Sequence, residues 1–180
     1  MRKFAGVLLA GAMLVPVGMI ATQAGAAAAK PTCKAVTGQA SFSPALPALK
    51  STATTKPTIT IKGAKLTGCA GGGVTGGTVG ATLKFGIANN CTTVLAGAST
   101  KTTGTVTIVW NTKASSTAKV TLVGLTGKPT SQTVSGPITT GLFKGSKLSV
   151  VTQYTPLNGG CTTAGLALVS FKNVGTLTIK

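Results

Sequence analysis

The chain has 180 residues, of which 17 are Lys or Arg and none is Asp, Glu or His, so its formal charge at pH 7 is +17. General acid and base work near neutrality normally falls to His, Asp or Glu. Carboxylate pairs for glycoside cleavage, Ser-His-Asp triads, Cys-His pairs and calcium sites are therefore excluded together.

The first element is an address label. Arg2 and Lys3 precede an apolar run from Phe4 to Ile20 and a small-residue tail from Ala21 to Ala29, the layout of a cleavable signal peptide. Ala24, Ala26 and Ala28 satisfy the peptidase in more than one register, which leaves the cut open among Ala26, Ala28 and Ala29. The run is short for a bilayer span and is interrupted by Gly11, Pro16 and Gly18. No transmembrane anchor is expected after cleavage. Cys33 follows Lys30, Pro31 and Thr32 rather than the apolar run, so no lipid anchor is expected either. The expected product is a secreted, extracellular domain spanning residues 30–180, roughly 150 residues, enough for one core. Its fifteen remaining basic residues are all lysine.

From residue 39 onward, β-branched residues alternate with threonine between Gly, Asn and Pro punctuation, the pattern of short strands. Candidates lie at residues 39–43, 58–66, 78–87, 105–110, 118–124, 131–138, 147–154, 164–171 and 176–179. In the second of these the parity of Ile59 and Ile61 fails to reach Leu66. Gly63 sits where it breaks, and a bulge there restores the pattern. The stretch from Pro44 to Pro57 is too proline-rich for a central strand and is expected to be an exposed connection. The glycine-rich segment from Cys69 to Gly77 reads as a turn, since no phosphate-loop pattern is present and no helix is expected after it. In 105–110, Val106, Ile108 and Trp110 share one face, which places Trp110 in the core. In 118–124, Val120 and Leu122 point inward and Lys119 and Thr121 outward. About nine short strands and no useful helix suit an all-β fold, an antiparallel β-sandwich of Ig-like type, with a closed β-barrel as the alternative.

Four cysteines, Cys33, Cys69, Cys91 and Cys161, in an exported chain read as two disulfides. No C-x-x-C pair, histidine or carboxylate completes a zinc set, and neither a metal nor a cofactor is expected. If the strands after Cys33 and before Cys69 run antiparallel, those two cysteines share one end of the sheet, while Cys91 lies at the other. That favours Cys33 with Cys69 and Cys91 with Cys161.

The segments from Ile59 to Cys69, Thr105 to Asn111 and Val134 to Gly145 resemble exported actinobacterial proteins of unknown function. The resemblance implies secretion and a β-rich, disulfide-bonded fold and supplies no catalytic residue. Members of that family carry acidic residues, and this chain departs from them in having none.

The surviving enzymatic possibility is a Ser/Lys hydrolase built on Ser116-x-x-Lys119. That spacing stacks two side chains on a helix but sends them to opposite faces of a strand. The glycosylation sequon Asn90-Cys-Thr92 would compete with the Cys91 disulfide. Threonine ladders such as Thr105 and Thr107 could serve an ice-binding face only on a flat array, and sheets twist. The lysines remain: an electropositive surface attracts anionic polymers such as teichoic acid, extracellular DNA or an anionic lipid surface. Dispersed lysines without arginine do not make a sequence-specific nucleic-acid reader. The expected function is that of a non-enzymatic structural or binding protein of the envelope or extracellular space.

Overall fold

In the computed structural model, which describes residues 29–95, 102–125, 128–157, 161 and 165–180, nine strands and one short helix follow one another. They are β1 (Thr32–Leu46), β2 (Thr58–Ala70), β3 (Gly77–Phe85), α1 (Cys91–Leu95), β4 (Thr102–Trp110), β5 (Ser115–Leu125), β6 (Lys128–Gly141), β7 (Lys147–Pro156), β8 (Leu166–Asn173) and β9 (Leu177–Ile179). The proposed signal segment lies almost wholly outside the described residues. Each strand from β1 to β8 pairs antiparallel with the next, and β8 returns to pair with β1. The sheet is an up-and-down barrel of eight strands.

The antiparallel, all-β expectation holds, and of its two architectures the barrel is the one formed; the sandwich is not. Two inward-facing glycines show how the sheet curls. A Cβ on Gly104 would lie 2.1 Å from the Thr82 carbonyl oxygen, and one on Gly136 would lie 1.9 Å from that of Lys119. Neighbouring backbones approach that closely only where a strand carries no side chain at the bend. Closure also removes the open edges that a sandwich would have to protect.

Period-two alternation sets the inside and outside of the wall. On β3, Val79, Ala81, Leu83 and Phe85 are buried while Thr78, Thr82 and Lys84 are exposed. On β4, Val106, Ile108 and Trp110 are buried. The register between β2 and β3 shifts between Ile61 and Ala64, and Gly63 takes a left-handed φ of 64°. That is the bulge the broken parity required, and it turns Ile59, Ala64 and Leu66 inward together.

Several strands run longer than the expected ranges, β1 most of all, which starts at Thr32 rather than at residue 39. β1 continues through Pro44 to Leu46, which is fully buried and pairs with Leu166. Pro44 is tolerated because it falls where the β1–β8 ladder is interrupted, between Ser41 and Leu46, so its missing N–H costs no rung. The connection proper, residues 47–57, is tied down by Leu49 N–H to the Cys161 carbonyl at 2.8 Å and by paired bonds between Thr55 and Asn89. The expected strand start at residue 164 lies outside the described residues.

The eighth stave is shared. β8 covers its upper part, and β9 fills the lower part between Thr32–Cys33 of β1 and Leu148–Ser149 of β7. At the seam the Asn173 side chain stands in for strand backbone. Its Oδ1 accepts from Val36 N–H at 2.9 Å and its Nδ2 donates to the Lys34 carbonyl at 2.9 Å.

The candidate site in the barrel lumen

The two ends of the barrel are closed differently. At the lower end the connections are short, and Trp110 packs edge-on against Phe143 with ring centroids 5.5 Å apart. The indole N–H donates to Ser116 Oγ at 2.8 Å, and that hydroxyl in turn donates to the Leu142 carbonyl. Phe143 holds a left-handed φ of 65°, uncommon for a bulky residue and sustained here by the ring packing. The Cys33–Cys69 disulfide joins β1 to β2 at the same end.

The upper end is covered by α1. Asn90 caps it: its Oδ1 accepts from Thr93 N–H at 3.1 Å, and its own N–H donates to Thr93 Oγ1 at 3.1 Å. This is the reciprocal pattern of a capping box with threonine where glutamate or glutamine is usual, a version that needs no acidic residue. Asn90 also donates through Nδ2 to the Ser51 carbonyl. The sequon asparagine therefore has a structural task. Cys91 N–H bonds the Pro47 carbonyl, and the Cys91–Cys161 disulfide fastens the helix to the β7–β8 connection. Both bridges follow the pairing that hairpin geometry favours.

Val94 of α1 is buried and faces the lumen. Beneath it lies a cavity of about 100 Å³, walled by inward residues of the barrel that include Ile59, Leu83, Ile108, Val150 and Phe171. Three lining residues are polar: Gln132 on β6, and Thr152 and Tyr154 on β7. Gln132 and Thr152 are directly opposite across the β6–β7 pair, and Thr152 Oγ1 donates to the Gln132 main-chain carbonyl at 3.5 Å. The Tyr154 hydroxyl donates to the Val94 carbonyl at 3.3 Å. Burial pushes its pKa up to about 12. Among the described residues no lysine lines the cavity.

The sequence-predicted candidates sort clearly. Trp110 is buried, in the core as its phase implied. Ser116 is buried against that indole, whereas Lys119 is exposed on the opposite face of β5, so the strand keeps them apart. The glycine-rich turn leads directly into β3. Thr82–Thr105, Thr107–Thr117 and Thr103–Thr121 are cross-strand pairs on the outside, on a wall curved into a barrel rather than a flat array. Among the lysines, Lys172 and Lys65 flank Thr37 in register on the outer face of β8, β1 and β2. Lys34 and Lys62 are exposed on the same strands.

Three features had escaped the sequence reading. α1 is signalled only by the Asn90/Thr93 spacing, Gln132 by its inward parity with Val134 and Ile138, and Asn173 by nothing local. No family model matches the chain, nor does any curated protein or solved structure. Among the described residues no helix is long and apolar enough to cross a membrane. The exterior of the barrel carries Thr, Ser and Lys, with Val109 and Val123 exposed among them.

Proposed function

We propose that the protein is a secreted, non-enzymatic binding protein whose lumen holds a small apolar molecule. The observation that carries this reading is the unfilled apolar cavity inside the barrel, about 100 Å³. Eight-stranded barrels either pack their interior with side chains or leave room for one small ligand; an apolar cavity of about 150 Å³ holds benzene, so this smaller lumen takes at most a molecule of one small ring. Two disulfides fit the oxidising surroundings of an exported protein. The test is a calorimetric titration of the disulfide-bonded protein with toluene. Saturable binding that Ala81→Leu and Ala40→Leu abolish, by filling the lumen, supports the proposal. Absence of binding, or binding indifferent to both substitutions, overturns it.

A second reading concerns the outer surface. Lys65 and Lys172 stand two strand spacings apart, about 10 Å, across Thr37, with Lys34 and Lys62 exposed on β1 and β2 and no carboxylate side chain anywhere in the chain. Such a face supports attraction to anionic polymers: teichoic acid, extracellular DNA or an anionic lipid surface. Heparin and DNA affinities that fall steeply with salt and ignore base sequence are the expected outcome. Retention at about 1 M salt, where the Debye length is roughly 3 Å, would refute a purely electrostatic attraction.

A further inference from the structure

We infer that the lumen selects an uncharged molecule with an apolar body of about single-ring size and one hydrogen-bonding group, and that the Gln132 amide is the residue that recognises this group. The inference rests on the lumen reading above and narrows it to a ligand class.

The wall of the cavity determines the charge. Among the described residues its lining is apolar apart from Gln132, Thr152 and Tyr154, and none of these is ionised at neutral pH. The lysines among the described residues lie outside the cavity, and the chain has no acidic side chain to accompany a cation inward. An ion moved into such an interior would lose its hydration without gaining a partner, a cost far larger than apolar burial returns. A neutral ligand pays no such penalty.

The polar groups determine where the single hydrogen bond forms. Tyr154 spends its hydroxyl on the Val94 carbonyl, and Thr152 turns its hydroxyl to the Gln132 main chain. Gln132 lines the same space, and among the described residues none hydrogen-bonds its side-chain amide. An amide carries two donors and an acceptor, so it can meet a hydroxyl or a carbonyl equally. Gln132 is half-buried, and among the described residues no buried side-chain polar atom is left without a partner, so its amide is not sealed from water and is open to an incoming group. The ligand's one polar group pairs with that amide, and the surrounding Val134, Val150 and Phe171 accept the apolar body.

The experiment titrates the disulfide-bonded protein with toluene, benzyl alcohol, benzoate and benzylamine, in wild type and in Gln132→Leu and Gln132→Met, with circular dichroism as a check on folding. The expected result is that both substitutions weaken benzyl alcohol binding by about tenfold, because its hydroxyl is left unpaired, while toluene binding stays within about threefold. Benzoate and benzylamine are expected not to enter. If toluene binds wild type but benzyl alcohol binds wild type and both variants alike, the assignment of Gln132 fails and the lumen reading stands. If neither neutral compound binds, the lumen reading itself fails. Benzoate or benzylamine binding that Ala81→Leu removes would overturn the exclusion of charge.

Discussion

The lower and upper ends of the barrel solve the same problem with different means. Below, short connections, β9 and the Trp110–Phe143 pair close the barrel with its own wall, and the polar atoms are consumed internally: indole to Ser116, Ser116 to the Leu142 carbonyl. Above, longer connections converge on a five-residue helix that is held by a cap, a disulfide and the Tyr154 hydroxyl. A plug made of wall residues cannot leave without unfolding the barrel. A helix held by a few tethers can be displaced while the strands stay paired. The lower end is thus a foundation, and on the proposed lumen reading the upper end is the side from which a ligand would enter.

The largest effect expected on this comparison comes from Trp110→Ala, which empties the plug and should cost about 3–5 kcal/mol, read as a shift in denaturant midpoint. Trp110→Phe should recover most of that loss. If Trp110→Ala cost less than about 1 kcal/mol, the lower end would not be the foundation described.

Next in size are the two disulfides, which close loops of 36 and 70 residues in sequence separation and contribute up to about 4 kcal/mol each in the chain-entropy model. Their stabilities should be similar and their kinetics should not. Replacing Cys91 and Cys161 by alanine should speed toluene exchange, measured by NMR line shape, because α1 is released. Replacing Cys33 and Cys69 should leave exchange unchanged. Equal acceleration by both pairs would erase the distinction between lid and foundation.

Tyr154 sharpens the comparison through pH. Its pKa is raised in the folded state from 10.0 to about 12 by burial, so the folded state holds its proton more tightly than the unfolded chain does. Its contribution is fully present below pH 10 and is lost as pH rises toward 12, by about 2 kcal/mol. Tyr154→Phe should show a flatter stability curve across that window than wild type. Identical curves would place the hydroxyl in water and remove it as a tether of α1.

The smallest effect is expected in acid. With no Asp, Glu or His in the chain, only the termini contribute between about pH 4 and pH 7, and neither end of the barrel has a side chain that acid could protonate. Denaturant midpoints should be nearly constant over that range, and toluene exchange with them. A sharp loss between pH 6 and pH 4 would contradict this.

What was legible in the sequence was local. Alternation along 105–110 and 118–124 assigned faces correctly because a strand's side-chain period is two wherever the strand ends up. The failed parity after Ile61 located the bulge at Gly63, since one extra residue flips every later side chain. The cysteine pairing followed from which end of a hairpin each cysteine occupies. Composition alone made the acid prediction possible.

The tertiary structure decided the rest. Whether nine strands stack as two sheets or close on themselves depends on β1 meeting β8, and the Val36–Asn173 bond that supports the seam spans 137 residues. No periodicity reports such a contact. Gly104 and Gly136 carry the trace of closure, but a glycine in a strand reads equally as a bulge, a bend or a close approach until its neighbour's backbone is in place. The lumen, its lid and the inward Gln132 exist only once the wall is closed, because a cavity belongs to the space between strands rather than to any one of them.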